Sequence, residues 1–317
     1  MRNIKNLLIT GGAGFIGFNF VRYFSNKYPD IKLHVIDNYA MGSIPQSISY
    51  FVDNDINLLQ LSINSVTDDI IEKYNIDSIV HFAAESHVDR SITNPSLFVE
   101  TNVLGTLKLL QLVKKFNLYF HHISTDEVFG DLGPEDAPFS EFSPYNPPSP
   151  YSASKAASDH LVRAFGDTYG IDYTISNCSN NYGPFQNSEK LIPKIFEKIR
   201  NNQKIPIYGN GKNIRNWLYV LDHCKAIDTI MFNGKSKETY LIGSDIELDN
   251  IQISDIILKM FNKSFDDNVE FVSDRKGHDF RYAINYSKIQ RELGWEPETT
   301  FEEGIRLTYE FYNEGKI

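Results

Sequence analysis

The chain lacks the features of several protein classes. Only two of its 317 residues are cysteines, Cys178 and Cys224, too few for a disulfide framework, which favours a reducing, cytoplasmic compartment. No apolar run approaches the roughly 18–20 residues of a membrane-spanning helix. The apolar run within Met1–Thr10 is too short for the core of a signal peptide and predicts a first strand instead.

An excess of basic charge is also missing. The net charge of −10 and the pI of about 5.3 indicate no general affinity for nucleic acid. Anionic phosphates would have to be held locally, by a few arginines and by helix N-termini. No cluster of Cys and His has the spacing of metal ligands, and the adjacent His121 and His122 point apart on a predicted strand. We therefore expect no metal.

Apolar runs of strand length alternate with amphipathic stretches of helix length. The predicted strands are Leu7–Ile9, Leu33–Ile36, Leu58–Leu61, Ser78–Phe82, Tyr119–Ile123 and Tyr173–Ile175, and the predicted helices are Phe15–Ser25, Thr67–Tyr74, Val103–Phe116, Tyr151–Tyr169 and Phe301–Tyr312. This alternation predicts an α/β fold with a doubly wound, Rossmann-type parallel sheet. After about Asn180 the elements become shorter. We predict a dinucleotide-binding domain at residues 1–180, to which segments such as 214–243 return, and a smaller substrate-binding lobe at 181–317.

A glycine-rich segment, Thr10–Gly17, follows the first strand and opens the first helix. Its glycines allow a tight turn, close approach of backbone to a pyrophosphate, and close packing of helix on strand. Alone, the motif could be an ordinary turn. Asp37 ends the second strand twenty residues later, where a carboxylate accepts hydrogen bonds from ribose hydroxyls and repels a 2′-phosphate. The alternative for Asp37 is a solvated strand end. Together these features favour NAD over NADP.

A second group of reactive side chains follows the strand Tyr119–Ile123. Thr125, Asp126 and Glu127 come directly after it, and Tyr151 and Lys155 lie four residues apart on a predicted helix. An ammonium group near a tyrosine should lower its pKa from about 10, so that it can act as a base. Both carboxylates can reach one substrate only if the chain already turns at that point. The alternatives are that the acidic residues are solvated residues of a turn and that Tyr151 and Lys155 form a pair on the protein surface.

Several motifs resemble the extended short-chain dehydrogenases/reductases. They are Gly11–Gly17, His81–Asp89, Ser124–Gly130 and Tyr151–Lys155. More narrowly, Asn177–Pro184, Ile214–Val220 and Gly277–Tyr282 resemble the dTDP-glucose 4,6-dehydratase family. The triplet Thr125–Glu127 is what separates these dehydratases from the related sugar epimerases.

The resemblance implies a role for each reactive group. Tyr151 would take the proton of the C4 hydroxyl of a hexose while hydride passes to retained NAD. Glu127 would then remove the C5 proton, and a protonated Asp126 would donate to the departing C6 hydroxyl. Hydride would return to C6 and leave a 4-keto-6-deoxy sugar. Thr125 would bind the C4 oxygen, and Lys155 would orient Tyr151 and the nicotinamide ribose.

The resemblance also implies two sets of binding residues. Those for NAD are Gly11, Gly14, Phe15, Ile16, Gly17, Asp37, Asn38, Ser62, Ile63, Phe82, Ala83, Ala84, Ser86, Thr101, Tyr151, Lys155 and Asn181. Those for the nucleotide-sugar are Ser86, Thr125, Asn180, Lys190, Leu191, Pro206, Ile207, Tyr208, Arg215, Asn250, Asp274, Arg275, His278 and Tyr282. Ser62 stands where an aspartate of the family reads adenine, and Lys276 stands where a proline is common. The loop Asn38–Gly42 also differs from the usual family pattern.

We therefore expect a dTDP-glucose 4,6-dehydratase that supplies a deoxysugar such as a rhamnose precursor. The departures leave UDP-glucose open as substrate. A nucleotide-sugar 4-epimerase would need only the hydroxyl of Thr125 together with Tyr151 and Lys155. A non-catalytic NAD-binding regulator would need neither these three groups nor the two carboxylates, Asp126 and Glu127. The resemblance also implies a homodimer through the helices Val103–Phe116 and Tyr151–Tyr169. Packing of these helices on the sheet would explain their apolar faces equally well.

Overall fold

The computed structural model describes residues 1–274 and 279–313. Its strands are β1 Asn6–Thr10, β2 Lys32–Asp37, β3 Asn57–Gln60, β4 Ser78–His81, β5 Tyr119–Thr125, β6 Asp172–Cys178, β7 Asn180–Tyr182, β8 Ile205–Tyr208, β9 Ile214–Tyr219, β10 Glu238–Ile242, β11 Glu247–Asp249 and β12 Val269–Val272. Its helices are α1 Phe15–Lys27, α2 Ser47–Asp53, α3 Asp68–Lys73, α4 Val88–Thr93, α5 Pro95–Phe98, α6 Thr106–Phe116, α7 Pro150–Tyr169, α8 Leu191–Arg200, α9 Val220–Asn233, α10 Asn250–Met260, α11 Phe265–Asn268, α12 Ser287–Leu293 and α13 Phe301–Asn313. Within these ranges, no helix is long and apolar enough to cross a membrane.

The central sheet has seven parallel strands in the order β10-β6-β5-β4-β1-β2-β3. The predicted α/β fold with a doubly wound sheet is confirmed, and the six predicted strands coincide with β1 to β6. The chain leaves β1 toward β2 on one side and returns to β4 on the other. Ligands of such sheets bind beyond the carboxyl ends of the strands at this switch point.

Alternation of side chains along β1 builds the two faces of the sheet. Leu7 and Ile9 pack on one face with residues of α1 and α9, and Leu8 packs on the other with residues of α6 and α7. All three β1 side chains are fully buried. Burying an aliphatic side chain of this size stabilises the fold by about 1.5–3 kcal/mol. The apolar run of β1 is therefore explained by burial on both faces.

The second half of the chain forms a smaller unit with its own apolar core. A three-stranded sheet in the order β11-β9-β7 and the pair β12-β8 pack with α8, α10 and α13. Of the segment 214–243, β10 pairs with β6 at the edge of the central sheet, and α9 packs on α1, whereas β9 belongs to the small sheet. The domain boundary near residue 180 stays a prediction.

Two local features differ from the expectation or refine it. The predicted helix at Val103–Phe116 is the regular helix α6 preceded by a π-helical turn at Val99–Gly105. The segment before α7 is a loop, and α7 begins with a capping box in which Ser149 and Ser152 exchange hydrogen bonds. Pro150 occupies the first turn of α7, where its missing N–H leaves no helical hydrogen bond unmade.

Candidate active site

A cleft opens at the carboxyl ends of β1, β2, β4, β5 and β6, beside the glycine-rich turn. Gly11 has a φ of +70°, and a Cβ there would lie 2.6 Å from the backbone nitrogen of Ala83. A Cβ on Gly17 would lie 2.2 Å from the carbonyl oxygen of Gly11. Both positions therefore require glycine, and the bare backbone of this turn faces the cleft together with the start of α1.

The residues predicted to bind NAD come together along this cleft. They are Gly11, Gly14, Phe15, Ile16, Gly17, Asp37, Asn38, Ser62, Ile63, Phe82, Ala83, Ala84, Ser86, Thr101, Tyr151, Lys155 and Asn181. The carboxylate of Asp37 accepts hydrogen bonds from the backbone N–H groups of Ala13 and Tyr39 and from the hydroxyl of Ser43. It is thus fixed at the end of β2. Their individual roles stay predictions.

The rim of the cleft contains charged residues that the sequence analysis did not select. Arg90 and His87, at the start of α4, contact the carboxylate of Glu189 at distances of 3.4 and 3.0 Å. The Arg90 guanidinium also contacts the sulfur of Met41 in the loop after β2. These contacts join three loops across the cleft. Because each residue is unremarkable in its own segment, only their convergence in space reveals the group.

The chain turns where the catalytic hypothesis requires it. β5 ends at Thr125, and a short 3-10 helix, Asp126–Phe129, begins at once. The hydroxyl of Thr125 accepts a hydrogen bond from the N–H of Glu127 and donates to the carboxyl of Asp126. Asp126 and Glu127 therefore both line the cleft instead of pointing to opposite faces. Tyr151 and Lys155 line the same cleft from α7.

The carboxyl group of Asp126 is held in its neutral form. Only 2% of the residue is exposed, and its Oδ2 has no hydrogen-bond partner within the part of the chain that the structure describes. Burial and then the negative charge of Glu127 raise the pKa of Asp126 to about 8, and Arg215 opposes this only in part. A neutral carboxylic acid beside Glu127 is a proton donor at neutral pH.

The expected effect of Lys155 on Tyr151 is wrong for this structure. Burial raises the pKa of Tyr151 well above 10, and the charge of Glu127 adds to this. Burial also lowers the pKa of Lys155 to about 8. The Lys155 ammonium donates to the carbonyl oxygen of Ile123 at 2.8 Å. The sequence analysis considered the charge of the lysine but not the cost of burying both groups, which is the larger effect here.

Asn102 is a further polar residue that the sequence analysis missed. Its amide accepts from the N–H of Glu85 at 2.8 Å and donates to the carbonyl of Glu85 at 3.0 Å. It also donates to the hydroxyl of Ser154 on α7. Asn102 thus ties the loop after β4 to α7, and it does so because the π-helical turn directs it inward. A π-helical turn gives no signal in a sequence pattern with the 3.6-residue period of an α-helix.

The residues predicted to hold the nucleotide-sugar fall into separate groups. Ser86, Thr125, Asn180 and Lys190 line the cleft. Leu191 begins α8, and Asn250 begins α10. Pro206, Ile207 and Tyr208 lie on β8, where Ile207 is buried in the core of the smaller unit. Asp274 lies just after β12, beside Gly209. Arg275 and His278 lie outside the described residues, as does Lys276.

Arg215 and Tyr282 form a buried pair near the acid–base residues. The guanidinium carbon of Arg215 lies 4.5 Å from the ring centre of Tyr282. Its nitrogens donate to the carbonyl oxygens of Ile214, Asp279 and Phe280. Burial and then the charge of Glu127 raise the pKa of Tyr282, which indicates that this pair lies within electrostatic reach of the turn that carries Glu127.

Comparison with known proteins agrees with this geometry. A family profile described as GDP-mannose 4,6 dehydratase matches residues 8–308. The chain belongs to this family. It is 44% identical to a dTDP-glucose 4,6-dehydratase of Escherichia coli, over 96% of this chain and 92% of that one. It is 45% identical to a dTDP-glucose 4,6-dehydratase of Mycobacterium tuberculosis strain H37Rv, over 98% of this chain and 94% of that one.

A solved structure of this 4,6-dehydratase family has the same fold. The dTDP-glucose 4,6-dehydratase of Streptomyces venezuelae, crystallised with NAD bound, superposes with a TM-score of 0.92 and 41% identity, covering 98% of both chains. The resemblance inferred from the motifs is therefore confirmed. The identity extends over both the central sheet and the smaller unit, so it includes the parts of the chain that carry the proposed substrate residues.

For a 4,6-dehydratase, a neutral Asp126 has a measurable cost in stability. Its pKa is raised in the folded state, so between about pH 4 and pH 8 the unfolded chain releases a proton that the folded chain retains, and stability falls as the pH rises. Asp126→Asn should therefore raise the free energy of unfolding at pH 8 by about 2–4 kcal/mol and change it little near pH 4. Urea unfolding at the two pH values measures this. Asp53→Asn, which alters an exposed carboxylate, should show no such difference; an equal gain at both pH values for Asp126→Asn would contradict the assigned protonation state.

Proposed function

We propose that the protein is a dTDP-glucose 4,6-dehydratase that retains NAD and forms dTDP-4-keto-6-deoxyglucose. The observation that carries this proposal is the pairing of a buried Asp126, with its pKa raised to about 8, and the adjacent Glu127 in the cleft that also contains Tyr151 and Lys155. Elimination of water needs an acid and a base in addition to the groups that serve oxidation. The relatives named dTDP-glucose 4,6-dehydratase support the substrate.

The cleft fits NAD at both ends. The glycine turn, where a Cβ on Gly11 or Gly17 would collide with backbone, can admit a pyrophosphate against the start of α1. Asp37, fixed by three hydrogen bonds at the end of β2, suits ribose hydroxyls. When bound, NAD supplies reversible hydride transfer and a cationic ring that would favour the ionised form of Tyr151.

The residues of the chain divide the proton transfers among them. Tyr151 removes the proton of the C4 hydroxyl, and the Thr125 hydroxyl, which donates to Asp126 in this structure, turns to bind the resulting carbonyl oxygen. The C4 ketone acidifies the C5 proton, which Glu127 takes. The neutral Asp126 donates to the departing C6 hydroxyl, so that water leaves. Because Glu127 and Asp126 are neighbours, the charge on one keeps the proton on the other.

The nucleotide end of the substrate is assigned to the smaller unit. Asn180 and Lys190 line the cleft on its side, and Arg215 carries a guanidinium that suits two phosphate oxygens. In this structure that guanidinium donates to three carbonyl oxygens, so phosphate binding would require some of these hydrogen bonds to be exchanged. We propose dTDP as the nucleotide and keep UDP as the second candidate.

A nucleotide-sugar 4-epimerase is the less favoured function. An epimerase returns the hydride to the carbon it left and needs no proton donor for a departing hydroxyl. The raised pKa of Asp126 would then be a cost in stability without a chemical use. A non-catalytic NAD-binding regulator is disfavoured for the same reason, since it would have no use for Glu127 and Tyr151 either.

We propose that the protein acts in the cytoplasm and supplies a deoxysugar such as a rhamnose precursor. Both cysteines are buried and free, which suits a reducing compartment. The 4-keto group of the proposed product is a site for further reduction or isomerisation.

We also propose a homodimer through α6 and α7. Large apolar side chains are exposed just before α6, namely Ile92, Leu97, Val99 and Leu104. Sedimentation equilibrium should give twice the chain mass of 36.4 kDa. Leu104→Lys should give monomers, because it places a charge in the interface, whereas Leu221→Lys, at an exposed leucine of α9, should leave the dimer intact. A monomeric wild type would contradict the proposal.

The proposed function predicts a loss of one water from dTDP-glucose. The purified protein, incubated without added reductant, should convert dTDP-glucose to a product lighter by one water, and UDP-glucose more slowly or not at all. Mass spectrometry measures both. An unchanged mass with a new stereoisomer would support the epimerase. Faster turnover of UDP-glucose would identify UDP, and not dTDP, as the nucleotide of the substrate. A lack of reaction with either sugar would remove the proposed activity.

Glu127→Gln should separate oxidation from elimination. Without the base for the C5 proton, the variant should still form NADH on mixing with dTDP-glucose but should release 4-keto-6-deoxy sugar at least about 100-fold more slowly. Absorbance of NADH and product mass follow the two steps. Tyr151→Phe is the matched control, because it should suppress the appearance of NADH itself. Wild-type turnover by Glu127→Gln would exclude the assigned role.

A further inference from the structure

A fully buried carboxylate, Asp159, lies behind the catalytic residues, and the mechanism above does not use it. Tyr151, Lys155 and Asp159 are spaced by four residues on one face of α7, and all three are buried. The first two line the cleft, whereas Asp159 points into the protein beneath it. An ionised carboxylate at such a site is costly unless hydrogen bonds and opposite charges compensate it.

The surroundings of Asp159 compensate its charge. Its Oδ2 accepts hydrogen bonds from the hydroxyls of Ser124 and Tyr145, each at 2.8 Å. Its Oδ1 lies 3.1 Å from Nε2 of His122. Burial acts to raise the pKa of Asp159, but the close contact with His122 and the charges of Lys155 and Arg163 outweigh burial and hold that pKa below its usual value. Asp159 is therefore an anion.

His122 connects this anion to Lys155. Its Nε2 lies 3.5 Å from the Lys155 ammonium nitrogen, which also donates to the Ile123 carbonyl oxygen. Burial lowers the pKa of His122 to about 4, so the imidazole is neutral. Its Nδ1 has no hydrogen-bond partner among residues 1–274 and 279–313. Both contacts are made by Nε2, so the neutral ring holds the carboxylate of Asp159 close to the ammonium group of Lys155.

We propose that Asp159 is a positioning residue whose negative charge, held beside Lys155 by the contact of both groups with His122, keeps the ammonium group of Lys155 charged within the cleft. Burial disfavours the charged form of Lys155 despite the hydrogen bond to the Ile123 carbonyl oxygen, and the negative charge of Asp159 opposes this effect. A neutral Lys155 would lose its attraction for the tyrosinate form of Tyr151. Asp159 would thus control the first proton transfer without touching the substrate. The inference rests on the proposed function for its kinetic consequence only.

Other ionisable groups face Lys155 and Asp159, and their effects on the pH profile must be distinguished from the effect of this pair. Element by element they are His81 on β4, His122 on β5, Asp126 and Glu127 on the turn after β5, Tyr145 in the loop before α7, Tyr151 and Arg163 on α7, and Cys178 on β6. Asp126 has a pKa of about 8, as Lys155 does. Asp126 donates its proton only after NADH has formed, but its charge also reaches Tyr151, so the effect on Lys155 is isolated by comparing the pH profiles of two variants that both keep Asp126.

The kinetic test follows NADH formation against pH in the Glu127→Gln background, in which elimination is blocked. The rate should fall above pH 8, the value to which burial lowers the pKa of Lys155. Adding Asp159→Asn should move this fall toward acid by about one pH unit or more, because the ammonium loses its counter-charge. Activity lost at pH 8 should then return at lower pH. Tyr145→Phe removes one hydrogen bond from Asp159 but keeps both charges, so it should lower the melting temperature without moving the pH profile. An unmoved profile in Asp159→Asn would overturn the proposal.

A stability test needs no substrate. Asp159→Asn should lower the urea midpoint at pH 7, and in the Lys155→Met background the same change should lower it less than about half as much, or raise it, because the uncompensated cation is gone. Equal effects in the two backgrounds would show that Asp159 serves packing alone and would overturn the proposal. If Asp159→Asn does not fold, recovery of folding on adding Lys155→Met supports the proposal. Failure of this double variant to fold contradicts the proposal. This result is independent of the product-mass experiment, so a wrong reaction and a wrong role for Asp159 remain distinguishable.

Discussion

Exclusion of water from the carboxyl end of β5 is the constraint on which the chemistry of this protein depends. Burial is the largest influence on the pKa of Asp126, Tyr151 and Lys155, and in each case it favours the neutral form. The three groups are then separated by their partners. Glu127 keeps the proton on Asp126, whereas Asp159 opposes the loss of charge from Lys155. One site can thus hold an acid beside a base at neutral pH.

The same constraint makes the site costly to the fold. A carboxyl group kept neutral above its ordinary pKa, and an ammonium group kept out of water, both oppose folding at neutral pH. The sheet provides the compensation: β1, β5 and β6 bring fully buried side chains to both faces, and their packing stabilises the strand ends that carry the reactive groups. Asn177 on β6 adds a hydrogen bond to the carbonyl oxygen of Thr125, at 3.0 Å, which fixes the turn itself.

The smaller unit contributes charge to the site as well as the proposed substrate contacts. Arg215 of β9 lowers the pKa of Asp126, although burial and Glu127 outweigh it. Its position depends on the segment 279–282, whose carbonyl oxygens it caps. That segment is held in turn by Arg281, which pairs with Glu247 at 2.7 Å and donates to the carbonyl of Asp136 in the loop before α7. The smaller unit therefore fixes one of the charges that act on Asp126.

The amino-acid sequence by itself determined the fold class, the glycine turn and the grouping of Thr125, Asp126, Glu127, Tyr151 and Lys155. These follow from local patterns: alternating strands and helices, glycines where a Cβ would collide, and a spacing of four residues on one helix face. Only the tertiary structure decided which of these groups are charged, because burial depends on every element packed around them. Tyr151 shows this most clearly, since sequence reasoning predicted a lowered pKa and burial raises it. Asn102, the rim group of Arg90 and Glu189, and Asp159 were also missed, because their partners lie far away along the chain and meet only in the folded protein.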